Sequence, residues 1–187
     1  MPMQLPVLRG ERVTLRPLVD ADLDALVAIV ESPGVREWWP SAGNAARVRE
    51  ELVSDESTYW TFAIEVEGRL AGWLGFGEEA DPYYRHASLD VYVDPAVHGR
   101  GVGTAAVRVL CRHLIHDHGH HRLTIDPAAD NTAAIRCYSK VGFRPVGITR
   151  LSERGPDGNW HDGLLMDLLA DEFIAGDTTD QRRPPPP

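Results

Sequence analysis

The segment His98-Gly99-Arg100-Gly101-Val102-Gly103-Thr104 constrains this chain more than any other. It follows an apolar run, Leu89 to Val93, that reads as a strand. It opens an amphipathic stretch, roughly Gly101 to His118, that reads as a helix. A glycine-rich turn between a strand and a helix leaves several backbone N–H groups unpaired at the positive end of the helix dipole. That arrangement suits a phosphate or pyrophosphate.

The rest of the chain supplies the frame. Arg12 to Arg16 alternates as a first strand does, and Asp20 can cap a helix to about Val30 that ends at Ser32-Pro33-Gly34. A polar stretch with Trp38-Trp39-Pro40 leads to a second helix, about Ala45 to Val53. Tyr59–Glu67 and Arg69–Gly77 read as a hairpin turning at Gly68, and Glu78 to Arg85 reads as an acidic, aromatic loop. Ala87 to Asp94 is the next strand. After the glycine turn, Val102, Ala106, Val109/Leu110 and His113/Leu114 form a helical stripe that Gly119 stops. Arg122 to Ile125 is a short strand and Asn131 to Val141 a helix closed by Gly142. Phe143–Thr149 and Trp160–Leu169 form a closing pair of strands. The order βααβββαβαββ predicts an α/β (α+β) fold: a mixed, mainly antiparallel sheet with helices on its faces.

The 187 residues suffice for one domain, assigned to 1–175, with a Pro-rich tail at 176–187 expected to be disordered. No apolar run approaches the ~20 residues of a membrane span, and no signal segment opens the chain. Cys111 and Cys137 fit reduced thiols, so a cytoplasmic protein is expected, without membrane contact. Acidic residues outnumber basic ones 28 to 19, a formal charge of −9. That argues against nucleic acid and is compatible with a cationic ligand in an acidic cleft, or with plain solubility.

Three readings compete for the glycine turn. A P-loop requires a lysine that is absent here. Gly101, Gly103 and Ala106 spell the dinucleotide pattern G-x-G-x-x-A. However, Asp94 to Arg100 separate it from its strand, and a hairpin precedes it rather than a βαβ series. The third reading comes from downstream. Asn131 and Tyr138 stand seven residues apart, nearly two helical turns, and so share a face. Ala134 and Ile135 lie between them, and Lys140, Gly142 and Phe143 follow.

The turn and this Asn-x-x-Ala-x-x-x-Tyr-x-x-x-Gly-Phe pattern together resemble the Gcn5-related N-acetyltransferase superfamily, over about residues 5–170. His98 stands where that family carries Gln or Arg. The resemblance implies acetyl-CoA as donor; no metal is expected. Amides of Gly99 and of Arg100 to Thr104 would hold its pyrophosphate. The Val91-Tyr92-Val93 segment would splay from the strand near Leu123 and pair with the pantetheine arm. Asn131 and Ala134 would meet the pantetheine, and Arg136 or Lys140 a phosphate. Tyr138 stands where the family places the acid for the departing thiolate, and a phenol, with reference pKa of about 10, carries the required proton. A carboxylate that accepts a proton from the amine would help, and Asp90 on the central strand is the candidate base.

Val35-Arg36-Glu37-Trp38-Trp39, Asp90, Thr124-Ile125-Asp126-Pro127 and Asn131 with Ala134-Ile135-Arg136-Cys137-Tyr138 further resemble the aminoglycoside 6′-N-acetyltransferases. In that group acids at the positions of Asp90 and Asp126 face the drug's amines. The loop containing Glu79, Asp81 and Tyr83 resembles one that adds a carboxylate, and Asp162 is a further candidate. A rigid polycation rich in hydroxyls calls for several carboxylates and flat aromatic walls. Trp38 and Trp39, adjacent in a loop, fit such walls, while Trp60 and Trp73, inside strands, fit the core. His113, His116, His118, His120 and His121 read as polar residues at a helix C-terminus rather than a metal site. Two other functions stay open: acetylation of protein N-termini or another small amine, and a non-catalytic acyl-CoA-binding module. A monomer and a homodimer are both compatible.

Overall fold

The computed structural model describes residues 5–52 and 59–176. The expected helix end at Val53 and tail positions 177–187 lie outside the described residues. The chain runs β1 (Leu8–Arg9), β2 (Thr14–Pro17), α1 (Leu23–Val30), α2 (Ala45–Leu52), β3 (Tyr59–Val66), β4 (Arg69–Glu78) and β5 (Ala87–Val93). It continues through α3 (Val102–His116), β6 (Arg122–Ile125), α4 (Thr132–Ser139), β7 (Arg144–Arg154) and β8 (Trp160–Leu169). Among the described residues the eight strands form one open sheet ordered β1-β2-β3-β4-β5-β6-β8-β7. Only β5 and β6 pair in parallel. This is the mixed α/β architecture expected, with the two-residue β1 added.

Glu67 (φ 51°) and Gly68 (φ 75°) both adopt left-handed backbone, as a two-residue hairpin turn between β3 and β4 requires. β4 is buried on both faces, which explains its unbroken Leu-Ala-Gly-Trp-Leu-Gly-Phe run. Leu74 and Phe76 pack with Phe62, Ile64, Leu89 and the Leu110 face of α3. Trp73 packs on the opposite side with Tyr92, Leu26, Val30, Val48 and Leu52 from β5, α1 and α2.

Two local expectations are corrected. Asp20 does not cap the first helix. The Asp22 carboxylate takes the Val19 N–H at 3.0 Å and both arms of Arg16, at 2.6 and 2.8 Å, while Arg16 also reaches Glu65 at 2.8 Å. A guanidinium arriving from β2 decides which acid anchors the entry. β7 runs five residues beyond Thr149; its second half, mostly exposed and entered through a register shift between Thr149 and Glu153, carries no apolar alternation that would mark it as strand. No described helix is long and apolar enough to cross a membrane.

Candidate active site

The sheet parts between β5 and β6. They pair at Ala87↔Leu123 and Ser88↔Thr124, after which β6 stays with β8 while Leu89 to Val93 keep only β4 as a neighbour. The opened edge of β5 exposes backbone donors and acceptors that a sheet would otherwise use. A cleft of about 820 Å³ fills this gap, and Val91, Tyr92 and Val93 form its edge.

The glycine turn closes one end. Gly99 (φ 72°) and Gly101 (φ 79°) take left-handed backbone, and a Cβ at either would meet nothing within 4 Å. The first helical bond of α3 runs from Ala105 N–H to the Gly101 carbonyl. The amides of Gly99, Gly101, Val102, Gly103 and Thr104 therefore have no backbone partner among the described residues, and all five residues line the cleft. Arg100 departs from its expected place in this cradle. Its N–H is taken by the Val97 carbonyl at 3.3 Å, its carbonyl accepts Arg12, and it does not reach the cleft wall. His98 lines the cleft, with its Nε2 bonded to the Val93 carbonyl at 2.9 Å, and so ties the turn to the end of β5.

α4 forms the facing wall. Asn131 caps it, its Oδ1 accepting the Ala134 N–H at 3.1 Å, so its carboxamide carries a structural duty beside any toward a ligand. Ala134, Arg136, Tyr138 and Lys140 line the cleft, as does Cys137, which the sequence reading left out. The Thr104 hydroxyl donates to Cys137 Sγ at 3.3 Å, and a Cβ on Gly103 would touch the same sulfur at 3.4 Å. Gly103 thus lets α3 and α4 approach closely, while Thr104 offers the cleft its amide. Burial, then the nearby Cys137, Asp90 and Asp126, push the Tyr138 hydroxyl well above the usual phenol range, so it keeps its proton.

Four acids from four elements also line the cleft: Glu51 of α2, Asp90 of β5, Asp126 after β6 and Glu153 of β7. Asp90 is open to the cleft yet packed around by protein. Burial pushes its carboxyl up to about 6, Asp126 and Glu51 add to the rise, and the hydrogen bond from Tyr59 opposes it. Asp126 is raised by burial. Glu153, from the unforeseen end of β7, is raised by burial and then by Asp126 and Asp90. Glu51 was also missed, because one acid on a charged helix face looks like solvation. It accepts Trp39 Nε1 at 3.3 Å and the Ser41 hydroxyl at 2.6 Å.

Trp38 and Trp39 both line the cleft, with Trp38 at 38% exposure. Trp39 meets Trp73 and Tyr92 edge-on, with centroids 5.7 and 4.9 Å apart, so Trp73, read as core, is also the floor of the site. Trp60 stacks on Phe76 away from it.

Glu79, Asp81, Tyr83 and Asp162 do not line the cleft. In the β4–β5 loop, Glu79 accepts the Asp81 N–H and Asp81 accepts the Tyr83 N–H. The loop is tied to the far end of α3 by Arg85, which donates to the carbonyls of His118 and Gly119. Asp162 accepts the Leu151 N–H at 2.7 Å, pinning an irregular stretch of β7 where Leu151 has φ 48°.

The acetyltransferase (GNAT) domain model matches residues 12–144. Aminoglycoside N(6′)-acetyltransferase type 1 of Klebsiella pneumoniae is 29% identical over 168 residues, covering 80% of each chain. N-alpha-acetyltransferase RimI of Mycobacterium tuberculosis is 31% identical over 131 residues, 70% of this chain and 73% of that protein. Among solved structures, Mycobacterium smegmatis RimJ in complex with CoA-disulfide superposes with TM-score 0.76 at 25% identity, covering 91% of this chain and 89% of that one. AAC(6′)-Ib in complex with paromomycin and acetyl-CoA gives TM-score 0.72 at 26% identity, covering 90% and 100%.

Proposed function

The chain belongs to the acetyltransferase (GNAT) family, and on that premise we propose that it transfers the acetyl group of acetyl-CoA to an amine, the 6′-amine of aminoglycoside antibiotics, and so confers resistance. One observation carries the acceptor: Asp90, Asp126 and Glu153 gather on a single cleft beside Trp38 and Trp39, and among the described residues no Lys or Arg pairs with them. Asp126 raises the proton affinity of Asp90, and both raise that of Glu153, so the three carboxylates together favour a ligand with several positive charges. The relatives point the same way, since one is an aminoglycoside acetyltransferase and one structural neighbour was solved with paromomycin and acetyl-CoA.

Acetyl-CoA fits the opposite wall. The space above Gly99 and Gly101 that a Cβ would enter, with the amides running on to Thr104, suits a pyrophosphate, and Arg136 and Lys140 lie within reach of phosphate charge. The open edge of β5 suits the amides of the pantetheine arm, and the thioester supplies the activated acyl group. Asp90 takes a proton from the acceptor ammonium, directly or through water, and a carboxyl near 6 does so close to neutrality. Backbone amides of β5 stabilise charge as it builds on the acyl oxygen. Tyr138 holds a proton at its hydroxyl and gives it to the departing sulfur.

A second reading, acetylation of protein N-termini, is favoured by the RimI and RimJ likenesses and by the absence of Glu79 and Asp81 from the cleft wall. Steady-state assays with acetyl-CoA and kanamycin, an N-terminal peptide and spermidine in parallel separate the two. Turnover on kanamycin, with the acetyl located by NMR on the 6′ nitrogen, is expected. Turnover on the peptide alone overturns the antibiotic assignment.

A further inference from the structure

We propose that Glu78, His118 and His120 form a zinc-binding site at the end of α3 opposite the glycine turn. Glu78 is the last residue of β4, and the two histidines flank Gly119 in the α3–β6 connection. Their ligand atoms all lie within 4.8 Å of one another. Glu78 Oε1 stands 3.0 Å from His118 Nδ1 and 2.7 Å from His120 Nε2, one carboxylate oxygen between two imidazoles. None of the three lines the acetyl-transfer cleft.

Hydrogen bonding alone accounts for this cluster poorly. If both imidazoles donate to Glu78, the fully buried His120 is left with a bare Nδ1. His113, whose ring centroid lies 4.6 Å from that of His118, spends its Nδ1 on the Asp117 carboxylate at 2.6 Å, and its buried Nε2 has no partner. Three buried side-chain nitrogens or oxygens lack a partner among the described residues, and two of them are in this group. A buried orphan is costly, and the one on His113 Nε2, beside His118, asks for a polar partner. The Asp117 carboxylate bonded to His113 Nδ1 is the pairing that orients the other ring nitrogen toward a metal-bound water. Two imidazole nitrogens and one carboxylate oxygen are a zinc donor set with a fourth position for water, and His113 Nε2 is the acceptor such a water needs.

The site is preformed and reachable. His120 N–H bonds the Leu114 carbonyl at 3.0 Å, Gly119 takes φ 71°, and Arg85 holds the carbonyls of His118 and Gly119. The side chains of Glu78 and His118 retain 22% and 16% exposure, an entry path for the ion. Bound zinc would join the end of β4 to the α3–β6 connection.

The test uses the full chain, stripped with chelator and dialysed, then titrated with zinc sulfate by calorimetry. One zinc per chain is expected, with Tm rising by about 5–10 °C at roughly a hundredfold excess over Kd. Cobalt substituted for zinc should show visible bands of a four-coordinate ion. Glu78→Gln and His118→Gln should each weaken binding by about tenfold or more, while His116→Ala and His121→Ala leave it unchanged. X-ray absorption on the unmutated zinc-loaded protein, showing imidazole and carboxylate scatterers, supports the site even if a variant misfolds. Absence of binding, equal binding in the Glu78 and His118 variants, or loss only in the His116 or His121 variants overturns it.

Discussion

Tyr59 Oη donates to Asp90 Oδ2 at 3.0 Å across the width of β4. The path is open because Gly75, paired with Asp90 in the sheet, has no side chain. A Cβ there would stand 2.5 Å from the Tyr59 hydroxyl. This bond opposes the rise that burial, Asp126 and Glu51 impose on Asp90.

The pH profile follows. With Asp90 as base, kcat/KM for kanamycin should rise with pH through an apparent value of about 6 and level off above it. Asp90→Asn should abolish that limb and lower kcat by about a hundredfold or more, with coenzyme affinity near normal. Tyr59→Phe removes the bond that favours the carboxylate, so the limb should move to higher pH. An unmoved limb in Tyr59→Phe refutes this control of Asp90.

Tyr138→Phe removes the proton without changing the shape of the α4 wall. Turnover should fall by about a hundredfold while calorimetric CoA affinity stays near wild type. Normal turnover assigns the leaving-group proton to water.

Gly101→Ala places a Cβ where the turn is left-handed and directs it into the space assigned to pyrophosphate. The strain should cost about 1 kcal/mol of stability, and KM for acetyl-CoA should rise well beyond that for the amine. Equal effects on both KM values would place the pyrophosphate elsewhere.

Glu153→Gln removes one of the three carboxylates while leaving Asp90 in place. KM for kanamycin should rise several-fold and lose part of its salt dependence, whereas KM for a monoamine should hold. The same change in both amines argues against a polycation pocket.

The Arg16–Asp22 pair is a stability determinant far from the chemistry. Arg16 holds the Asp22 carboxyl below the usual range, against the effect of burial. A lowered folded value means the stabilisation is fully present above the unfolded value of about 3.9 and is lost as pH falls through the folded one. Asp22→Asn should cost about 2 kcal/mol near neutrality, seen as a Tm lower by roughly 5 °C. The deficit should shrink in acid, where wild type loses the same contact.

Much of the site was legible because it is built from backbone and local spacing. The glycine turn, the Asn131–Tyr138 face and the placement of Asp90 on a strand are periodicities within one element. Glu51, Tyr59 and Glu153 were not legible. Each reaches the cleft from an element distant in sequence, and Glu153 sits in the half of β7 that carries no apolar alternation. Trp73 reads as core because it is buried, and only the folded chain brings Trp39 and the cleft against it. The histidines near 118 read as a polar helix end, since nothing local shows that Glu78 meets them.

The amino-acid sequence by itself determined the element order, the hairpin at Gly68, the phosphate-suited turn and the mixed sheet, because short-range sterics and apolar periodicity dictate these. Only the tertiary structure decided that β8 enters between β6 and β7, that β5 is left with an open edge, that Asp22 rather than Asp20 anchors α1, and which acids share the cleft. Those outcomes depend on which distant surfaces bury against one another, and that competition is settled by packing over the whole molecule rather than by any one stretch of chain.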